Sequence, residues 1–147
     1  MRNRLQGVTL IELMTIIAIA GILVAVAVPS FTDSIARRRL EGVANELSSD
    51  LQYAKSQAAV VNTNVSLVTT AHGYVVGTYK TTTLDLTTTL TDAVTVTFEP
   101  HRALPAGDTS ITVTQSQTAA SLRVTTDVMG RIQTCSPGAS FAGYKTC

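Results

Sequence analysis

Chemistry in this chain would have to come from a few side chains: two cysteines, two histidines, one acid inside an apolar run, and an arginine next to a glycine. Cys135 and Cys147 stand close together at the C-terminal end. A metal site wants four ligands, and His72 and His101 lie far from the cysteines and from each other in sequence. No Cys-x-x-Cys pair is present for redox exchange. The expected reading is a structural disulfide in an oxidising compartment. It closes a loop of about a dozen residues and stabilises the fold by about 3 kcal/mol in the chain-entropy treatment. His72 precedes Gly73 at a turn candidate, and His101 sits between Pro100 and Arg102, so both read as loop residues rather than bases. There is no G-x-S-x-G, no P-loop and no H-E-x-x-H, and the acids are dispersed. The expectation is therefore no catalytic residue, no metal, no cofactor and no enzyme activity.

The acid that stands apart is Glu12. It is the single charge in an apolar run from Val8 to Val28, which follows a short basic head carrying Arg2 and Arg4. About 20 apolar residues are enough to cross a hydrocarbon core of ~30 Å. A secretory signal peptide would have a shorter apolar core and a small-residue cleavage site at its far end, and Val28-Pro29-Ser30-Phe31 offers none. A carboxylate deep in a membrane helix costs ~2.5 kcal/mol or more, so Glu12 calls for a positive partner. The helix dipole favours a first-turn acid, but by too little to offset deep burial.

Gly7-Val8-Thr9-Leu10-Ile11-Glu12-Leu13 resembles the processing motif of class III signal peptides, shared by type IV pilins and type II secretion pseudopilins. The resemblance implies cleavage by a prepilin peptidase between Gly7 and Val8, N-methylation of Val8, and an assembly role for Glu12. A new N-terminus at Val8 would supply the positive charge that Glu12 needs. Val8 replaces the family's usual Phe or Met, and Pro29 matches the family's helix-bending proline. Arg37, Arg38 and Arg39 follow the apolar run and make the positive-inside rule ambiguous, whereas peptidase cleavage requires the N-terminus inside.

These residues must be positioned by a helix and a sheet. After Pro29, Ala36, Leu40, Val43, Leu47, Leu51, Ala54, Ala58 and Val61 recur at steps of three and four, the spacing of one helix face. Glu41, Glu46, Asp50, Gln52 and Lys55 fall mostly on the other sides. Val8 to Val61 would form a helix of roughly 80 Å with bends near Pro29 and Gly42. From Asn64 onward, alternating segments read as strands: 65–69, 74–79, 94–98, 111–114 and 122–125. Sequential strands with short links imply antiparallel sheet packed on the helix. The threonine-rich tract 81–91 reads as an exposed strand pair or loop, and Asn64-Val65-Ser66 as a chance sequon. The expected class is thus α+β: a type IV pilin fold with the apolar half of the helix projecting, the amphipathic half under antiparallel sheet, and a disulfide at the C-terminal end. The divisions are a leader over 1–7, a transmembrane and assembly helix over 8–29, an amphipathic helix over 30–62 and a β-rich head over 63–147.

The formal net charge of +1 excludes a strongly basic nucleic-acid binder. Asp127-Val128-Met129-Gly130-Arg131-Ile132-Gln133-Thr134-Cys135, a glycine-arginine turn leading into a strand and a cysteine, is similar to the GspH/FimT group of minor pilins, FimU-like proteins included. That resemblance implies a minor subunit of a type IV pilus, near its tip and supporting assembly. Its partners would be other pilin or pseudopilin subunits, the prepilin peptidase and the inner membrane. The head would be periplasmic until the chain enters the pilus or pseudopilus. Some FimT-like members capture DNA for natural transformation through Gly-Arg-x-Arg. Here Gly130 and Arg131 match, and Gln133 takes the place of the second arginine, removing one phosphate contact. A turn glycine followed by an exposed arginine is the expected reading, with DNA binding and a type II secretion pseudopilin as alternatives.

Overall fold

The computed structural model describes residues 8–91, 93–139 and 141–147. It contains one long helix, α1 (Leu10–Val61), followed by β1 (Val65–Thr70), β2 (Gly73–Val76), β3 (Lys80–Thr83), β4 (Thr88–Leu90), β5 (Thr95–Phe98), β6 (Thr109–Gln115), β7 (Ser121–Thr126) and β8 (Ile132–Cys135). A short 3-10 turn covers Pro137–Ala139. The chain divides into two compact units, residues 1–35 and 36–147.

The first unit holds the N-terminal part of α1. Every described side chain from Val8 to Ala25 is exposed. Leader residues 1–7, with Gly7, lie outside the described residues. So do the side chains at 26–30, which include Pro29.

In the second unit the apolar stripe of α1 becomes the floor of the core. Ala36, Leu40, Ala44, Leu47, Leu51, Ala54 and Ala58 are all fully buried. The stripe differs from the expected one at two places. Ala44 is fully buried where Val43 was expected, leaving Val43 half-buried, and Val61 at the helix end is exposed.

Eight strands form two antiparallel four-stranded sheets, ordered β3-β2-β1-β5 and β4-β6-β7-β8. Their inner faces join the helix in one hydrophobic cluster, with Leu67, Val76, Val96 and Phe98 from the first sheet and Ile111, Val113, Leu122 and Val124 from the second. The α+β expectation, a long helix packed against antiparallel sheet, thus holds. Two segments read differently in the structure. The run 74–79 breaks after Val76, because Gly77 takes φ +49 and turns the chain into β3. The threonine tract gives β3 and β4 in different sheets, and Thr88 and Leu90 of β4 are buried. Threonine can serve there because its hydroxyl finds partners: Thr88 Oγ1 donates to Gln115 Oε1, and Thr69 Oγ1 donates to the Thr91 carbonyl at 2.7 Å. Gly73 is required at the β1–β2 turn, since a Cβ would overlap the Thr82 carbonyl oxygen.

The outer face of the second sheet is almost all hydroxyl. Thr89, Ser110, Thr112, Thr114, Ser121 and Thr125 alternate with the buried residues along their strands, and Arg123 donates from Nε to Thr112 Oγ1 at 3.2 Å.

Candidate functional site

No group of three or more His, Cys, Asp or Glu side chains converges to hold a metal ion among the described residues. His72 Nδ1 lies 3.4 Å from the Thr88 carbonyl, and His101 is exposed in a turn. The candidate features are a helix start, a tied C-terminal loop and a charged turn.

Thr9 caps α1. Its Oγ1 accepts from the Glu12 N–H at 3.3 Å, and its carbonyl accepts from the Leu13 N–H at 3.1 Å. Thr9-Leu10-Ile11-Glu12 has the spacing of a capping box, which places Glu12 in the first helical turn beside the positive end of the dipole. Thr15 Oγ1 bonds back to the Glu12 carbonyl at 2.8 Å. Val8, the residue after the expected cut, is exposed just outside the helix. Around Glu12, Leu10, Ile11, Leu13, Met14, Ile16 and Ile17 are each more than half exposed. Among the described residues no helix is long and apolar enough to cross a membrane. The described side chains of the apolar run end at Ala25.

Cys135 and Cys147 form a disulfide with Cα atoms 5.0 Å apart. The loop it closes folds back on the helix. Ser136 is fully buried and accepts from the Phe141 N–H at 2.9 Å, while the Ser136 N–H donates to the Lys145 carbonyl at 2.8 Å. Phe141 and Tyr144 pack edge to face with centroids 5.4 Å apart. Arg37 stands 5.8 Å over the Phe141 ring, and Tyr144 donates its hydroxyl to Glu41 Oε1 at 2.9 Å. Burial first, and the bond to Glu41 second, push the Tyr144 hydroxyl above its ordinary pKa.

The Gly130-Arg131 turn joins β7 to β8. Arg131 does not stand free: its Nε donates to Asp127 Oδ2 at 2.6 Å. Asp127 Oδ1 also accepts from the N–H groups of Met129 at 3.0 Å and Arg131 at 2.9 Å. The Arg131 N–H foremost, with help from its guanidinium, holds the Asp127 carboxyl below the usual range. Gly130 has φ +71, and Lys55 on α1 donates to its carbonyl at 2.9 Å.

Sequence reasoning missed a polar cluster inside the second unit. Asp50, assigned to the outer sides of the helix, is only 8% exposed. Its Oδ2 accepts from Tyr74 Oη at 2.7 Å and from Lys80 Nζ at 2.7 Å, and Lys80 also reaches Glu46 at 3.0 Å. Burial foremost, then the bond to Asp50, pushes the Tyr74 hydroxyl well above its ordinary pKa. Bonds to Asp50 and then Glu46 raise Lys80. The position of Asp50 between Leu47 and Leu51 was the available signal.

Comparison with known proteins agrees with this anatomy. The family model described as Type II transport protein GspH matches residues 43–130, more than half of the chain, and that of the prokaryotic N-terminal methylation motif matches residues 2–28. The type IV major alpha-pilin of Moraxella bovis is 48% identical over 46 residues, 31% of this chain and 29% of that protein. A fimbrial protein of Moraxella nonliquefaciens is 36% identical over 81 residues, 48% of this chain and 53% of that protein. The chain therefore spans about a third to a half of these curated relatives' length. The crystal structure of the Pseudomonas aeruginosa type IV minor pilin FimU superposes with a TM-score of 0.59 at 19% identity, covering 71% of this chain and 97% of that one. The fold is that of FimU, with a helix packed against antiparallel sheets and, in this chain, a C-terminal disulfide. An N-terminal methylation motif, a helix start placing one acid in the first turn and a GspH-matching head coincide in one sequence: the chain belongs to the GspH family of type IV pilins and pseudopilins, structural subunits rather than enzymes.

Proposed function

We propose that this chain is a minor subunit of a type IV pilus, placed near its tip and supporting assembly. The observation that carries the reading is the union of the methylation motif over residues 2–28 with a segment, Val8 to Ala25, whose side chains are all exposed and mostly apolar around one acid. A surface of that kind needs lipid or the same segment of neighbouring subunits to cover it. In this reading a prepilin peptidase cuts between Gly7 and Val8 and methylates the Val8 amine. The segment 8–29 spans the inner membrane once, with the head in the periplasm, until neighbours replace the lipid. Glu12 guides docking through the positive N-terminus of an adjacent subunit, and Pro29 allows a bend.

Glu12→Ala tests this directly. The variant should insert and fold as the parent does, yet its recovery in sheared filaments should drop at least about tenfold, the loss expected when a buried charge pair is broken. Parental recovery would refute the assembly role.

A type II secretion minor pseudopilin is the second reading, favoured by the match of residues 43–130 to the type II transport family. For DNA, the pairing of Arg131 with Asp127 and the glutamine at position 133 argue for weak binding at most.

A further inference from the structure

The Asp127–Arg131 turn opens on Asp127, whose carbonyl accepts from the Gly130 N–H at 2.8 Å, and closes on Gly130 at φ +71. Its two central residues, Val128 and Met129, are 53% and 71% exposed. The turn is further fixed from several sides. Asp127 takes two backbone N–H groups and the Arg131 guanidinium, and Asp108 Oδ1 accepts from the Val128 N–H at 2.8 Å. Lys55 holds the Gly130 carbonyl from the helix below. A Cβ on Gly130 would stand 3.0 Å from Lys55 Nζ and 3.4 Å from the Ala103 carbonyl, so the turn is seated on both the helix and the loop that follows β5. Two apolar side chains are thus presented on a backbone that has little freedom left to lose on docking.

The charges of the turn, of Lys55 beneath it and of the segment 99–108 that follows β5 balance. Lys55, Arg102 and Arg131 are matched in number by Glu99, Asp108 and Asp127. Arg131 and Asp127 already neutralise each other, and Asp108 is occupied by a backbone N–H. A polyanion such as DNA finds no net positive field here, and a strongly acidic or basic protein face finds no complement. What complements a rigid apolar tip in a balanced surround is an uncharged apolar socket. Resting on the filament reading above, we propose that the Val128–Met129 tip docks into such a socket on another pilin-type subunit of the same filament. Methionine suits the role because its flexible thioether adapts to the shape it meets.

The test uses the full chain in its native cells, with the photo-crosslinker p-benzoylphenylalanine in place of Met129 or, as a control on the outer hydroxyl face, of Thr112. Filaments are sheared, irradiated and the joined peptides identified by mass spectrometry. Position 129 should link to another pilin-type subunit at least about tenfold more than position 112, and Val128→Asp should remove most of that yield. The melting temperature of each substituted chain should match the parent, since both sites are on the surface. A chain recovered in filaments whose position 129 links no better than position 112, or links to DNA, overturns this inference and leaves the filament reading intact. A chain absent from filaments overturns both.

Discussion

At one end of the described chain, every side chain from Val8 to Ala25 is exposed, and most are Leu, Ile, Val or Met. At the other end, Phe141 is 9% exposed, Ser136 is fully buried, and a disulfide with two side-chain contacts to the helix ties the last dozen residues down. Both ends carry apolar residues, but those of the C-terminal end are packed within their own unit while the described ones of the N-terminal segment are exposed. In the proposed reading the N-terminal segment is covered by lipid or by neighbouring subunits, the need that distinguishes a filament subunit from a free globule.

Truncating one side chain in each region breaks this contrast most sharply. Leu51→Ala should cost about 2–5 kcal/mol in denaturant unfolding of the detergent-solubilised chain, because Leu51 is fully buried in the core. Ile17→Ala should leave that transition unchanged, because Ile17 is 63% exposed. An equal effect at both would mean that the first segment packs on the head in solution.

Cutting the tie at the C-terminal end should have the next largest effect. The double variant Cys135→Ser/Cys147→Ser should be about 3 kcal/mol less stable than the disulfide-bonded parent. Amide exchange should rise in residues 136–147. Unchanged exchange there would show that the contacts to Arg37 and Glu41 hold the loop without the disulfide.

A smaller effect separates the charged turn from both ends. Asp127 titrates below the usual carboxylate range in the folded chain, so its stabilising contribution is complete above the ordinary aspartate pKa of about 3.9. It is lost as pH falls through the lowered folded value. Amides of Met129 and Arg131 should therefore exchange faster in acid, relative to their intrinsic rates, and Asp127→Asn should abolish that pH dependence. Protection that persists in acid would show that Lys55 and Asp108 hold the turn unaided.

Much of this was legible in the sequence because it lives in local patterns. The apolar run with one acid, the three-and-four spacing from Ala36 to Ala58, the alternation in most strands and the cysteine pair all announce themselves within short windows. The unread parts depend on distant meetings. Tyr144 finds Glu41 across 103 positions, and Lys55 meets Gly130 across 75. Asp50 reads as an outward charge until Tyr74 and Lys80 arrive from other strands to satisfy it. The threonine tract misleads because threonine serves equally on a wet face and, when its hydroxyl is bonded, in a core. At the Gly130-Arg131 turn, the glycine and arginine were visible, but the acid that occupies the arginine was not assigned that role.

If the exposed N-terminal segment begins at a processed residue and is built into a filament, the chain recovered from sheared filaments must carry the mark of that processing. Intact-mass measurement of that material tests this most directly. The expected result is a single species starting at N-methylated Val8, with one disulfide. A chain that retains Met1, or one cut after Val28, would contradict it.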